Sequence, residues 1–162
     1  MISIILITLI TLIIDQASKH LVHFNMIEYE SIPIIKDFFS ITFMKNRGVA
    51  FSILEGNVPL IILITSIIII LIIKYIKNTN PKNIEKIFYS LIIGGSIGNL
   101  IDRIVYGYVI DFFDFNLFGY NYPVFNIADI FIVIGIFSLI ILSYIESRDQ
   151  IDTNSQRKIK NR

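Results

Sequence analysis

The chain has no cysteine and no tryptophan, and only two histidines and four prolines in 162 residues. Without cysteine there is no disulfide, no thiol nucleophile and no thiolate metal site. The two histidines, His20 and His23, stand three apart with no carboxylate clearly joining them. A catalytic zinc usually takes three protein ligands, so these read as helix-end histidines and no metal is expected. No serine, histidine and carboxylate are grouped in a way that favours a nucleophilic triad. Charge is scarce as well: 17% of residues, with a formal net charge of +1. The basic residues lie beside apolar segments and in the tail, which argues against a nucleic-acid partner.

What is abundant is apolar surface, 54% of residues with a mean hydropathy of +0.71. Ile2–Ile14, Val58–Ile76, Ile87–Val105 and Phe125–Ile145 are each long enough, or nearly so, to cross a bilayer of about 30 Å as a helix. They predict one membrane domain over 1–162, with spans near 2–22, 58–76, 87–105 and 125–145 and a tail over 146–162. The first segment lacks a basic leading region and is followed by no small-x-small cleavage site, so it reads as a retained span. Between the first two spans, Phe39–Phe43 is aromatic and β-branched enough for a strand. Asn46-Arg47-Gly48 supplies a turn, and Val49–Ile53 a return strand. Such a sheet belongs at the membrane surface, because open strand edges cannot face lipid.

Orientation follows from lysine. Lys74, Lys77, Lys82 and Lys86 crowd the short loop after span two, and Arg148, Arg157, Lys158, Lys160 and Arg162 follow span four. Both belong in the cytoplasm, which leaves the loops at 24–57 and 106–123 outside. Asp15 and Lys19 then lie at the outer end of span one, and Asn99, Asp102 and Arg103 at the outer end of span three. Asn126 and Asp129 fall in the first turns of span four, and Asn46 and Asp111 in the outer loops. Every unusual polar residue converges on one level.

Charged groups at bilayer depth cost roughly 2.5–3.5 kcal/mol each even on the lenient insertion scale, so a cluster of them requires a reason. Gly94, Gly95, Ser96 and Gly98 give span three a small face that a neighbouring helix can approach. Asn99, Asp102 and Arg103 share a face at i, i+3 and i+4, as do Asp15 and Lys19 at i and i+4. Arg103, always protonated, suits a clamp on a substrate carbonyl or a counter-charge for Asp15 or Asp102. Asp111 sits among Val109, Ile110 and Phe112 with no adjacent cation. Two carboxylates brought together cannot both ionise easily; one keeps a proton while the other takes one from water, the arrangement of aspartic proteases. The partner of Asp129 is Asp111 or Asp102, and a cation beside Asp102 would hold it ionised, which favours Asp111.

These residues carry a resemblance. The chain resembles the lipoprotein signal peptidases, the type II signal peptidases of bacteria, in five blocks. They are Asp15-Gln16-Ala17-Ser18-Lys19, Asn46-Arg47-Gly48-Val49-Ala50-Phe51, the run from Gly94 to Arg103, Val109-Ile110-Asp111-Phe112 and Phe125-Asn126-Ile127-Ala128-Asp129. One departure is Ile130, where a small residue is common. The resemblance implies an all-α integral membrane protein of four transmembrane helices with a small extracytoplasmic β-cradle. It implies an aspartyl endopeptidase without cofactor that cuts before the diacylglyceryl-modified cysteine of a prolipoprotein. Its catalytic aspartates fall on Asp111 and Asp129. Asp15, Lys19, Asn46, Gly48, Asn99, Asp102, Arg103, Asn126 and Ala128 match substrate-binding or supporting positions. The expected setting is the bacterial cytoplasmic (inner) membrane, as a multi-pass monomer among membrane lipids, with both termini cytoplasmic and the active site near the outer leaflet.

Two other readings compete. A small proton-coupled carrier would also hold intramembrane carboxylates, but spread across the bilayer, whereas the inner halves of these spans are apolar. A non-catalytic assembly subunit docking through Gly94–Gly98 needs no carboxylate pair and would tolerate Asp129→Asn. The orientation is checked by single cysteines at Asn57 and Asn80, which should label from opposite sides of the membrane. Labelling of both from outside would overturn the topology.

Overall fold

The apolar segments form four long helices and the mixed segments a four-stranded sheet in a computed structural model, which describes residues 2–48 and 55–160. The helices are α1 (Ile2–Asn25), α2 (Val58–Thr79), α3 (Asn83–Tyr106) and α4 (Ile127–Lys160). Each carries a stretch long and apolar enough to cross a membrane, that of α4 ending at Asp149. Pro59 lies in the first turn of α2, where its missing N–H costs nothing, and Asn80 closes that helix in the left-handed conformation. The fourth helix starts at Ile127 rather than Phe125, because Asn126 is its cap. It continues to Lys160, through the segment expected to be a tail.

Much of the helical surface is apolar and turned outward: Ile13, Ile70, Val105 and Ile140 are all well exposed. In water such a surface would be a liability, whereas in hydrocarbon it is the solvated face. With lipid as apolar as leucine, the helices must hold together by close packing and polar contacts. The small residues of α3 make that possible. A Cβ at Gly94 would lie 2.7 Å from Thr11 Cβ of α1, and one at Gly95 would lie 2.5 Å from the Ala128 carbonyl of α4. A Cβ at Gly98 would run into the Asp15 carboxylate. Gly135 on α4 returns the contact, with Ile92 Cγ1 2.6 Å from where its Cβ would be. So α3 is the central helix, with α1 parallel to it on one flank and α4 antiparallel on another. Ile69 and Ile76 of α2 close a smaller apolar cluster with Ile4 and Ile93.

The sheet order is β1 (Ser31–Ile35), β2 (Phe39–Asn46), β3 (Val109–Leu117), β4 (Tyr120–Asn121), all antiparallel. Phe39–Phe43 is a strand as expected, extended to Asn46. Its partners are β1 and β3; the return strand expected over Val49–Ile53 lies outside the described residues. Gly107, at φ +78, ends α3 and lets the chain reverse into β3 within three residues. Phe118 and Gly119, both at positive φ, make the two-residue turn into β4. Val22, Phe43, Ile110 and Phe112 form an apolar cluster where the end of α1 meets β2 and β3. That cluster fixes the sheet against the ends of the helices that carry the polar residues.

The glycine contacts generate a stability prediction. Gly98→Ala must displace an ion-paired carboxylate rather than a flexible chain end, which should cost about 1–3 kcal/mol. Ser96→Ala, on the same turn and only half-buried, should change little. Thermal unfolding in one detergent checks both; equal midpoints would mean that α3 and α1 do not need this approach.

Candidate active site

The site begins with a cation. Lys19 extends from α1 between two carboxylates, with Nζ 2.9 Å from Asp15 Oδ2 and 3.0 Å from Asp102 Oδ2, and all three side chains almost fully buried. Gln16 Nε2 donates to Asp102 Oδ1 at 3.0 Å and to Asp15 Oδ2 at 3.2 Å. The carboxylates also hold backbone: Asp15 Oδ1 accepts the Ala128 N–H at 2.9 Å, and Asp102 Oδ2, the oxygen paired with Lys19, accepts the Ile110 N–H at 3.2 Å. One buried ion triad thus ties α1 to α3, the start of α4 and the start of β3. The two anions share one cation, and further N–H donors occupy both oxygens of each, which offsets part of the cost of such burial.

The same ammonium orients an amide. Lys19 Nζ donates to Asn99 Oδ1 at 2.7 Å, and Asn126 Nδ2 donates to that oxygen at 3.1 Å. Asn99 Nδ2 is thereby left to donate to Asp129 Oδ1 at 2.8 Å. Asn126 is the N-cap of α4, its Oδ1 accepting the Asp129 N–H at 3.0 Å while Asp129 Oδ2 accepts the Asn126 N–H at 3.2 Å. That reciprocal pair is a capping box with aspartate at the third helical position. From the cap, Asn126 Nδ2 reaches Asp111 Oδ1 at 2.6 Å. Asn46 Nδ2, at the end of β2, donates to Asp111 Oδ2 at 2.8 Å. Asp111 and Asp129 therefore sit on either side of one asparagine. Burial, with the Asp129 carboxylate adding to it, pushes the Asp111 carboxyl up to about 7.

Every anticipated polar position joins this one assembly, but two roles differ from those the sequence suggests. Lys19 pairs with Asp15, as their spacing suggests, and with Asp102 as well, the place the sequence left open to Arg103. Arg103 instead donates to the Gly48 carbonyl at 2.6 Å and the Asn99 carbonyl at 3.3 Å, leaving Nε buried without a partner among the described residues. Asn126 stands just outside the helix as its cap rather than in the first turns of span four, because its Oδ1 accepts the Asp129 N–H. Gly48 N–H donates to Asn46 Oδ1 at 2.9 Å, so the turn expected there steers the asparagine side chain. Ala128 contributes its backbone. His23 packs against Tyr106 and Phe43, with ring centroids 5.0 and 5.9 Å away, and His20 caps Gln16 O. Sequence reasoning missed Gln16, which lies inside a quoted block; its neighbours Asp15 and Asp102 come together only in the folded chain.

The fold and site define a polytopic membrane protein with a paired-carboxylate centre where helix ends meet a sheet. Comparison with known proteins makes the class specific. The family model for signal peptidase (SPase) II matches residues 7–145. The chain is 46% identical over 136 residues to a lipoprotein signal peptidase of Halothermothrix orenii, covering 84% of this chain and 91% of that protein. It is 45% identical over 140 residues to one from Clostridium tetani, covering 85% and 89%. A bacterial membrane enzyme solved by the in meso method at 2.3 Å superposes with a TM-score of 0.84 at 35% identity, covering 91% of this chain and 90% of that one. The chain belongs to the signal peptidase II family, a family of proteases, and is a multi-pass protein of the bacterial inner membrane.

Removing the cation should be worse than removing either anion. Lys19→Met leaves two facing buried carboxylates and should cost about 3–5 kcal/mol. Asp102→Asn keeps Lys19 paired with Asp15 and should cost less. The double variant should recover part of the Lys19→Met loss, since the two share one interaction. Additive losses in thermal unfolding would mean that the triad is not a unit.

Proposed function

We propose that Asp111 and Asp129 are the catalytic pair with which this signal peptidase II removes signal peptides from prolipoproteins. The observation that carries the assignment is Asn126, whose backbone N–H holds Asp129 while its amide holds Asp111. Asp102, the other carboxylate considered, is ion-paired with Lys19 and also holds Gln16 and the Ile110 N–H, whereas the hydrogen-bond partners of Asp111 and Asp129 among the described residues are neutral amides. It is a structural anchor.

Asp129 lies in the first turn of α4, where the helix N-terminus favours negative charge. Asp111 holds the shared proton. A water between them gives a proton to Asp129 as its oxygen attacks the scissile carbonyl carbon, and Asp111 gives its proton to the carbonyl oxygen. As the tetrahedral intermediate collapses, the C–N bond breaks and the departing amine takes the proton from Asp129, while Asp111 recovers its own from the gem-diol. Arg103, whose Nε has no partner among the described residues, and Asn46 orient the substrate backbone.

The bond cut is the one before the diacylglyceryl-modified cysteine. Its acyl chains stay in the bilayer against the apolar helix faces, and tethering raises the local concentration of the bond to be cut. The enzyme works as a single membrane domain and as a monomer, surrounded by lipid. Lysine placement puts both termini and the α2–α3 connection in the cytoplasm, and so the carboxylates near the outer leaflet.

Asp111→Asn and Asp129→Asn should each fold, bind lipidated precursor and lose turnover by several orders of magnitude, as for members of one catalytic unit. A well-folded Asp111→Asn protein with near-normal turnover would move the role to Asp102. The pH profile follows from the raised Asp111. Its folded value, about 7, exceeds its ordinary 3.8, so its contribution to stability is complete below that ordinary value and lost as pH rises through about 7. The singly protonated pair is lost over the same upper range, so kcat/KM should fall tenfold per pH unit above roughly 7. A flat profile to pH 9 would contradict a proton held on Asp111.

A further inference from the structure

Side chains alternate across a strand, so the odd positions of β3 place Asp111, Phe113 and Phe115 on one face. The irregularity in the β2–β3 pairing falls between Ile41 and Met44 of β2, which leaves β3 itself regular. The two phenylalanines belong to a continuous aromatic floor. Phe39 stacks on Phe115 at 4.6 Å between centroids and lies 6.0 Å from Phe113. Phe125 lies 5.6 Å from Phe113 and stacks on Phe115 at 5.8 Å. Tyr122 meets Phe125 edge-on at 5.7 Å. None of these rings is in the apolar cluster under the sheet except Phe113 at its margin, and all keep part of their surface exposed. Phe125 immediately precedes Asn126, so the floor runs without a break into the cap that holds both aspartates.

Resting on the assignment of Asp111 and Asp129, we infer that this floor is a specificity subsite for the first residues of the mature chain, those after the modified cysteine. An extended peptide and β3 share a rise of roughly 3.3 Å per residue. With the scissile bond at Asp111, Phe113 then lies about two residues away and Phe115 about four. The segment before the cysteine is the apolar signal peptide, which belongs with the helices. The segment after it is the part that leaves the bilayer, and the sheet lies beyond the helix ends. Half-exposed rings in a row favour aromatic and aliphatic side chains at alternate positions, and they disfavour acidic ones, which would be desolvated against rings with no cation in the floor.

The test uses purified full-length protein and lipidated precursor peptides carrying Phe, Ser or Glu at each of the second to fifth mature positions. The expected result is about a tenfold preference in kcat/KM for Phe over Glu at alternate positions, carried by KM. Phe115→Leu should keep the fold, checked by thermal unfolding, and reduce that preference severalfold. Equal rates for all peptides, or a preference confined to positions before the cysteine, would overturn the inference. A uniform loss in the variant across all peptides would also overturn it, assigning the rings to seating the sheet at the bilayer surface. Wild-type protein cutting no peptide while binding them would instead count against the catalytic assignment.

Discussion

A single ammonium buried between two carboxylates sets the geometry on which the site depends. Lys19 is 1% exposed, and Asp15 and Asp102 are fully buried, so no water screens or replaces these contacts. The low dielectric makes the pairing strong and its loss expensive, and both anions also accept backbone N–H groups, from α4 at Asp15 and from β3 at Asp102. Holding those two chain starts against α1 and α3 is what brings Asn126 and Asp111 to the same place. The glycines of α3 serve this triad, since Gly98 leaves the room that the Asp15 carboxylate occupies.

The asparagines pass that order on to the carboxylate pair. Asn99 Oδ1 is taken by Lys19 and Asn126, and Asn126 Oδ1 by the helix cap, so neither amide can flip without losing bonds. The Asn99 NH2 group therefore points at Asp129, and that of Asn126 at Asp111 and the Asn99 oxygen. The pair is thereby surrounded by fixed donors, a preorganised environment for a charge that moves from one carboxyl to the other. Counting charges supports a proton in the site: among the described residues, Asp15, Asp102, Asp111 and Asp129 face Lys19 and Arg103 alone. With Lys19 committed to the triad, two adjacent ionised carboxylates would have Arg103 alone, already engaged with two carbonyls.

Much of this was legible in the sequence because a membrane chain advertises its exceptions. Four apolar runs gave the helices, and against them each aspartate and asparagine stood out. Spacing placed Asp15 with Lys19 and Asn99 with Asp102, and the lysine-rich loops aligned the polar ends at one level. Less legible were contacts between segments. That Lys19 rather than Arg103 balances Asp102 depends on how α1 and α3 are rotated, which no local spacing records. Phe125 and Asn126 read as helix because the apolar run is continuous through them, whereas the end of the helix is set by a side-chain cap. The pairing of β2 with β3 was hidden because α2 and α3 intervene, and an adjacent hairpin is the simpler inference from a turn such as Asn46-Arg47-Gly48.

The central claim is that Asp111 and Asp129 share one proton at neutral pH in a site rigidly supplied with donors. Infrared difference spectroscopy of the full-length protein across a pH titration observes this directly, because a protonated carboxyl has a carbonyl stretch that a carboxylate lacks. The account predicts one such band at neutral pH, titrating with an apparent midpoint near 7, absent from Asp111→Asn and moved to lower pH in Asp129→Asn, where burial still raises Asp111 but the neighbouring charge is gone. A neutral-pH spectrum with no protonated carboxyl, or a band that survives in both variants, would contradict it.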